Sequence, residues 1–209
     1  MPVTVPVKLG IVFYSATGTI TELARTMADE AEKVGADVRL RKVAELAPDA
    51  AIDSQPQWRA NVDATEDIAC ADLDDVLWAD AVIFGTPTRF GNVSAQLKNF
   101  LDGLGPGWQQ GKLQDKVYSG FTASGTQHGG QETTLLALYN TIHHIGGIVV
   151  SPGYTDPTKF VDGNPYGTSH VSAMGRNPVD DTARTAAIVQ VRRVITMAAA
   201  LRDGLAAQD

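Results

Sequence analysis

Three short stretches carry residue types that could hold a ligand. The first, Ser15-Ala16-Thr17-Gly18-Thr19-Ile20, joins an apolar run to an amphipathic segment. At a strand-to-helix junction its hydroxyls and backbone N–H groups make a neutral anion site that suits a phosphate. It contains neither G-x-G-x-x-G nor G-x-x-x-x-G-K-[ST], so the dinucleotide and nucleoside-triphosphate fingerprints are excluded and a monophosphate fits better. The second stretch, Gly85-Thr86-Pro87-Thr88-Arg89-Phe90-Gly91-Asn92, mixes a rigid proline, glycines, a cation and an aromatic. Its backbone amides could edge a planar ring while Phe90 walls it. The third, Ser124-Gly125-Thr126-Gln127-His128-Gly129-Gly130-Gln131, is polar and glycine-rich and can approach a ligand closely.

Each stretch also has an ordinary reading: a capped helix, a β-to-α turn with Phe90 dropped into the core, and a solvent loop. What favours a site is that all three would follow strands of one sheet. Leu9 to Tyr14 reads as a strand buried on both faces. A helix follows, with apolar residues at Ile20, Leu23, Met27, Ala31 and Val34, a Thr19/Glu22 capping-box pattern at its start and Gly35 at its stop. Val38 and Leu40, alternating with Arg39 and Arg41, predict a second strand near the sheet edge. Residues 48–67 show no clear periodicity and read as a long surface connection. Further strands are expected at Ala81–Gly85, Val117–Thr122 and Ile148–Val150, separated by helices, with a last helix through Ile188, Val191, Ile195 and Leu201. Five such β-α units imply a parallel sheet with helices on both faces, and ligands then bind beyond the carboxyl ends of the strands.

Composition narrows the function. The chain has 209 residues, 44% of them hydrophobic, and a formal charge of -7. We expect one domain over residues 1–209, elaborated near 103–115 and 155–178. The negative charge without a Lys/Arg cluster argues against nucleic acid as a partner. No signal segment and no apolar run near the roughly 20 residues that span a bilayer is visible, so the expectation is a soluble cytoplasmic protein. Cys70 is the only cysteine, which excludes an intrachain disulfide and a Cys-x-x-Cys pair; redox chemistry would need a cofactor. His143 and His144 are neighbours on a predicted helix, pointing about 100° apart, so joint metal ligation is not expected, and no metal is. On residue type alone His144 is a helix-end histidine favoured by the dipole. Trp108, in Gly105-Pro106-Gly107-Trp108, suits a lid or an interface better than a core.

Taken together, the three stretches and Pro165-Tyr166-Gly167 resemble the WrbA family of NAD(P)H:quinone oxidoreductases, and the resemblance covers nearly the whole chain. It implies a flavodoxin-like fold with strand order 2-1-3-4-5, bound FMN, NAD(P)H as co-substrate and a homotetramer. By position it assigns the FMN phosphate to Ser15 through Ile20, flavin contacts to Thr88, Arg89 and Phe90, and the rest of the pocket to Ala123 through Gly129, including His128. It makes His144 the active-site histidine at the flavin. It makes Trp108 the wall of the substrate space, often against a neighbouring subunit's flavin. Thr17 stands where relatives often carry a larger aromatic that contacts the nicotinamide nucleotide, which leaves its contact with NAD(P)H open.

The implied reaction is ping-pong: NAD(P)H reduces the flavin and leaves, and a quinone then takes its place and accepts two electrons. Phe90 and Trp108 would confine the flat rings, and His144 would hydrogen-bond to or protonate the developing quinol oxygen. The rival reading is a flavodoxin-type one-electron carrier. A receiver domain on the same architecture is disfavoured because Tyr14 and Ser15 stand where its acidic cluster would be.

Overall fold

The computed structural model describes residues 5–208. The first apolar run forms β1 (Lys8–Phe13), buried from Leu9 onward. Helix α1 (Thr19–Lys33) returns along one face and stops at Gly35, whose φ of 88° turns the chain into β2 (Asp37–Lys42). Strands β3 (Ala81–Pro87) and β4 (Val117–Ser124) complete the centre, and β5 (Ile148–Val149) lies beyond β4. All pair in parallel in the order β2-β1-β3-β4-β5, the doubly wound arrangement expected.

Two apolar layers flank the sheet. On one side α1 and the last helix, α9 (Asp181–Ala206), bury Leu23, Met27, Val191 and Val194 against β1, β3 and β4. On the other, α4 (Leu73–Trp78), α5 (Ala95–Asp102) and α7 (Gln131–His144) bury Val76, Leu97, Leu138 and Ile142. Each such side chain contributes about 1.5–3 kcal/mol, which fixes the sheet as a rigid platform for the loops at its carboxyl edge.

The structure corrects two expectations. Residues 48–67 are not an unstructured connection: they hold α2 (Asp49–Asp53) and α3 (Pro56–Asp63). These helices are too short to display a periodic stripe, and Pro56 opens α3 at a position where a missing N–H costs nothing. The fifth strand is broken. β5 pairs only with Val117 and Tyr118, and residues 150–167, including α8 (Lys159–Asp162), loop out before β6 (Thr168–Val171) pairs with Phe121 to Ser124. Residues 168–171 of the expected elaboration are therefore sheet.

Between the two half-strands a side chain substitutes for the ladder. Gln190 of α9, fully buried, donates from Nε2 to Gly120 O and Ser119 Oγ, both at 2.8 Å, and accepts from Thr168 N at 2.7 Å. Buried backbone groups need partners, and one amide side chain here supplies what a continuous strand would have. At the opposite edge, Arg39 and Arg41 reach the buried Asp75 carboxylate at 3.1 and 3.0 Å, tying β2 to α4. Asp75 also completes a reciprocal capping box with Asp72 at the start of α4. Among the described residues no helix is long and apolar enough to cross a membrane.

Candidate functional site

The carboxyl ends of β1, β3 and β4 open into a cleft of about 130 Å³. It is lined by Ser15, Ala16, Thr17, Thr19 and Ile20 from the first loop, Thr88 and Arg89 from the second, and Ala123, Ser124 and Gly125 from the third. The expected Thr19/Glu22 capping box does not form. Gly18 is the N-cap, left-handed at φ 96°, and no side-chain cap bond is found for this helix among the described residues. Ser15 Oγ instead accepts from Gly18 N at 3.2 Å, and Glu22 pairs with Arg184 of α9. The first turn of α1 borders the cleft through Thr19 and Ile20, and a helix start without a side-chain cap favours an anion there.

Arg89 and Asn92 exchange backbone hydrogen bonds of 2.8 and 3.0 Å around a two-residue turn, in which Phe90 has φ 53° and Gly91 φ 77°. Positive φ at both central residues is the pattern of a type I′ turn, whose first position normally takes Asn, Asp or Gly. Phe90 there is strained, and its ring is fully exposed. It is neither a core residue nor, in this chain, a lining of the cleft.

The second and third loops are laced together. Thr88 N donates to Ala123 O at 2.9 Å, and the single Thr134 hydroxyl hydrogen is shared between Gly130 O at 2.8 Å and Thr88 Oγ1 at 2.7 Å. Ser124 Oγ accepts from the buried Gln131 side chain at 2.8 Å and donates to Thr126 O at 2.6 Å. Beyond Gly125 the loop turns away. Gln127 lines a larger cleft of about 710 Å³ beside His170 and Asp180, and Thr126 and His128 are exposed. Of the third-loop expectations, Ala123 to Gly125 meet the first cleft, whereas Thr126, Gln127, His128 and Gly129 do not line it, because the turn closed by Gly129 N to Thr126 O carries them outward.

Two positioning residues lie outside the three stretches. Asn61, on α3, accepts from Thr21 Oγ1 at 2.9 Å and donates to Ser15 O at 2.8 Å, clamping the first loop to the start of α1. Glu45 accepts from Tyr14 Oη, Trp58 Nε1 and Gln96 Nε2 at 2.9, 3.0 and 2.8 Å, joining the end of β1 to α3 and α5. Burial pushes its carboxyl up, but the N–H of Ala47, the Gln96 amide, the Tyr14 phenol and the N–H of Leu46 outweigh it and hold the group below its ordinary value. Burial, the hydrogen bond to Glu45 and that residue's charge raise the Tyr14 phenol well above its ordinary range, opposed by Arg89. No motif marks Asn61 or Glu45; their roles follow from helices the periodicity could not show.

His144 does not reach this cleft. It ends α7, which runs 14 residues back along the sheet, about 20 Å at 1.5 Å per residue. The following turn meets the start of β4, where Ile148 N donates to Lys116 O at 2.9 Å. There His144 shares an open pocket of about 190 Å³ with Trp108 of α6 (Gly105–Gln109), Leu101, Leu104 and Thr141. Within a single chain, helix direction puts His144 at the amino-terminal end of the strands, together with Trp108 and away from this cleft. Among the described residues no cluster of three His, Cys, Asp or Glu side chains could hold a metal.

The residues of the cleft suit FMN. Its lining carries no carboxylate among the described residues, presents the hydroxyls of Ser15, Thr17 and Thr19 and the guanidinium of Arg89, and adjoins the amide end of α1. That donor set matches a phosphate monoester.

Comparison with known proteins agrees. The NADPH-dependent FMN reductase family matches residues 12–158. A Deinococcus radiodurans protein named NAD(P)H dehydrogenase (quinone) is 46% identical, covering 95% of this chain and 98% of that protein. One of the same name from Aromatoleum aromaticum is 40% identical over 96% and 100%. A flavodoxin, WrbA-like protein from Agrobacterium tumefaciens superposes with a TM-score of 0.65 at 26% identity, covering 92% of this chain and 97% of that one. An archaeal flavodoxin at 14% identity and a TM-score of 0.56 shares the fold. With two near-full-length relatives and a family match running from β1 to the end of β4 and beyond, the chain belongs to the NADPH-dependent FMN reductase family, among its WrbA-like NAD(P)H dehydrogenases (quinone).

Proposed function

We propose that this protein is an FMN-dependent NAD(P)H:quinone oxidoreductase that carries two electrons per cycle in ping-pong order; its relatives carry the name NAD(P)H dehydrogenase (quinone). The observation that supports it most is the start of α1: among the described residues it has no side-chain cap bond, and it borders a cleft lined by Thr17, Thr19 and Arg89 and by no carboxylate. Ser15 to Ile20 would hold the phosphate, and Thr88, Arg89 and Ala123 to Gly125 the flavin. FMN, when bound, supplies the two-electron chemistry that links the nicotinamide to the quinone. The chain's own task is placement: Asn61 and Glu45 fix the loops, and exposed Thr17 stands at the mouth where a nicotinamide nucleotide would enter.

The separation of His144 and Trp108 from the cleft favours a homotetramer in which one chain brings this pair to another chain's flavin. In that arrangement Trp108 walls the quinone space, and His144 donates a hydrogen bond or proton to the quinol oxygen. The whole chain, 1–209, is read as one domain, acting in the cytoplasm.

Anaerobic mixing of the FMN-loaded protein with NADH or NADPH tests the reading. The flavin absorbance should bleach and return when benzoquinone is added. A flavin that NAD(P)H leaves coloured would instead mark a flavodoxin-type carrier.

A further inference from the structure

After β6 the chain turns back over the cleft as a short strap, residues 172–177. Its first residue is pinned to the end of β4: Ser172 donates to Ser124 O from its N–H at 2.8 Å and from Oγ at 3.1 Å. Its last, Asn177, closes the turn through N–H to Ser172 O at 2.9 Å and through its side-chain amide to Val171 O at 3.2 Å. Between the pins Ala173, Met174 and Gly175 take φ of 46°, 60° and 83°. Successive left-handed residues are unfavourable wherever a side chain is present, so the pins, not local preference, hold this shape.

The shape puts Met174 at the site. Its Cε and Sδ lie 2.8 and 2.9 Å from where a Cβ on Gly125 would stand, so only glycine at 125 lets the thioether seat there. Met174, Ser172 and Gly175 complete the lining begun by Thr17, Thr88 and Ala123. On the far side Gly175 abuts the Gln57 amide of α3, the helix whose Asn61 clamps the phosphate loop. The strap thus bridges the cleft from β4 to α3. Yet Met174 remains 73% exposed, an unbranched apolar side chain waiting on a surface to cover it. The 130 Å³ of this cleft also falls short of the roughly 300 Å³ or more of typical small-molecule sites, which is what a strap that moves when a mononucleotide binds would leave.

We propose that residues 172–177 form the lid of the FMN site, with the Met174 side chain closing on the bound cofactor and governing its release. The proposal rests on the FMN reading above and adds to it a residue that none of the three loops contains.

Apoprotein of the wild type, Met174→Ala, Met174→Leu and Ser172→Ala is loaded with FMN, and release is followed after dilution by the recovery of flavin fluorescence. Met174→Ala should release FMN roughly tenfold faster, Ser172→Ala should also be faster, and Met174→Leu should stay near the wild type. Thermal melts of the wild-type, Met174→Ala and Met174→Leu apoproteins should agree, because the side chain at 174 is exposed. If the wild type binds FMN and Met174→Ala releases it at the same rate or more slowly, the lid is refuted while the flavin reading stands. A wild type that does not bind FMN overturns both.

Discussion

Trp108 and His144 approach one pocket from two different helices, α6 and α7, at the end of the sheet opposite the phosphate loop. Their pairing is built into the fold of one chain; under the proposed function, their use at a flavin would draw on a second chain.

This relationship predicts complementation. His144→Ala should keep FMN binding and lose about a hundredfold in quinone turnover, the scale of a positioned proton donor. Gly18→Val, which forces a β-branched residue into a left-handed position, should abolish FMN binding. Oligomers assembled from both variants should recover turnover that neither has alone; absence of recovery would place histidine and flavin on the same chain.

The split edge strand makes Gln190 a structural requirement. Gln190→Leu leaves Gly120 O and Thr168 N buried without their partner, and should cost about 3 kcal/mol. Urea unfolding would register the loss as a lower midpoint, and an unchanged midpoint would show that water replaces the amide.

Glu45 should leave a signature at acid pH. Its folded-state pKa is depressed below the ordinary 4.5, so its contribution is fully present above that value and fades as pH falls through it. Glu45→Gln should therefore be less stable than the wild type at pH 7, with the two melting temperatures converging below pH 4.5. A constant gap down to pH 3, measured by thermal melts, would contradict this account of the Tyr14–Glu45 hydrogen bond.

Phe90 offers the opposite trade. Phe90→Asn suits the left-handed turn and should stabilise the protein by about 1 kcal/mol, raising the melting temperature by about 2–4 °C. Turnover should fall if the exposed ring is needed to confine flavin or substrate. A variant both more stable and fully active would remove Phe90 from the site.

Much of the site was legible because loop chemistry is local. Ser15 to Ile20 and Thr88 to Arg89 are recognised by hydroxyls, glycines and a cation following buried strands, and they converge on one cleft. What escaped depends on partners distant in sequence. Asn61 acts across 46 residues on Ser15, and its helix is too short for a visible apolar stripe. The Thr19/Glu22 pattern misled because Arg184, 162 residues away, claims Glu22. That His144 shares a pocket with Trp108 at the far end of α7 was not legible either, since spacing along a helix says nothing of which end of the sheet it reaches. The fifth strand was half seen: β6 lies beyond an 18-residue excursion, 150–167, that no short-range pattern bridges.

The interrupted edge has one more effect. A long, flat outer strand offers unpaired N–H and C=O groups on which another molecule can grow β-structure. Here one border offers only two residues, a gap and four more, while the other, β2, bears Arg39, Arg41 and Lys42. Neither border is a good template for uncontrolled strand addition. Contact between copies of this chain is thereby steered toward helices and loops rather than toward fibres.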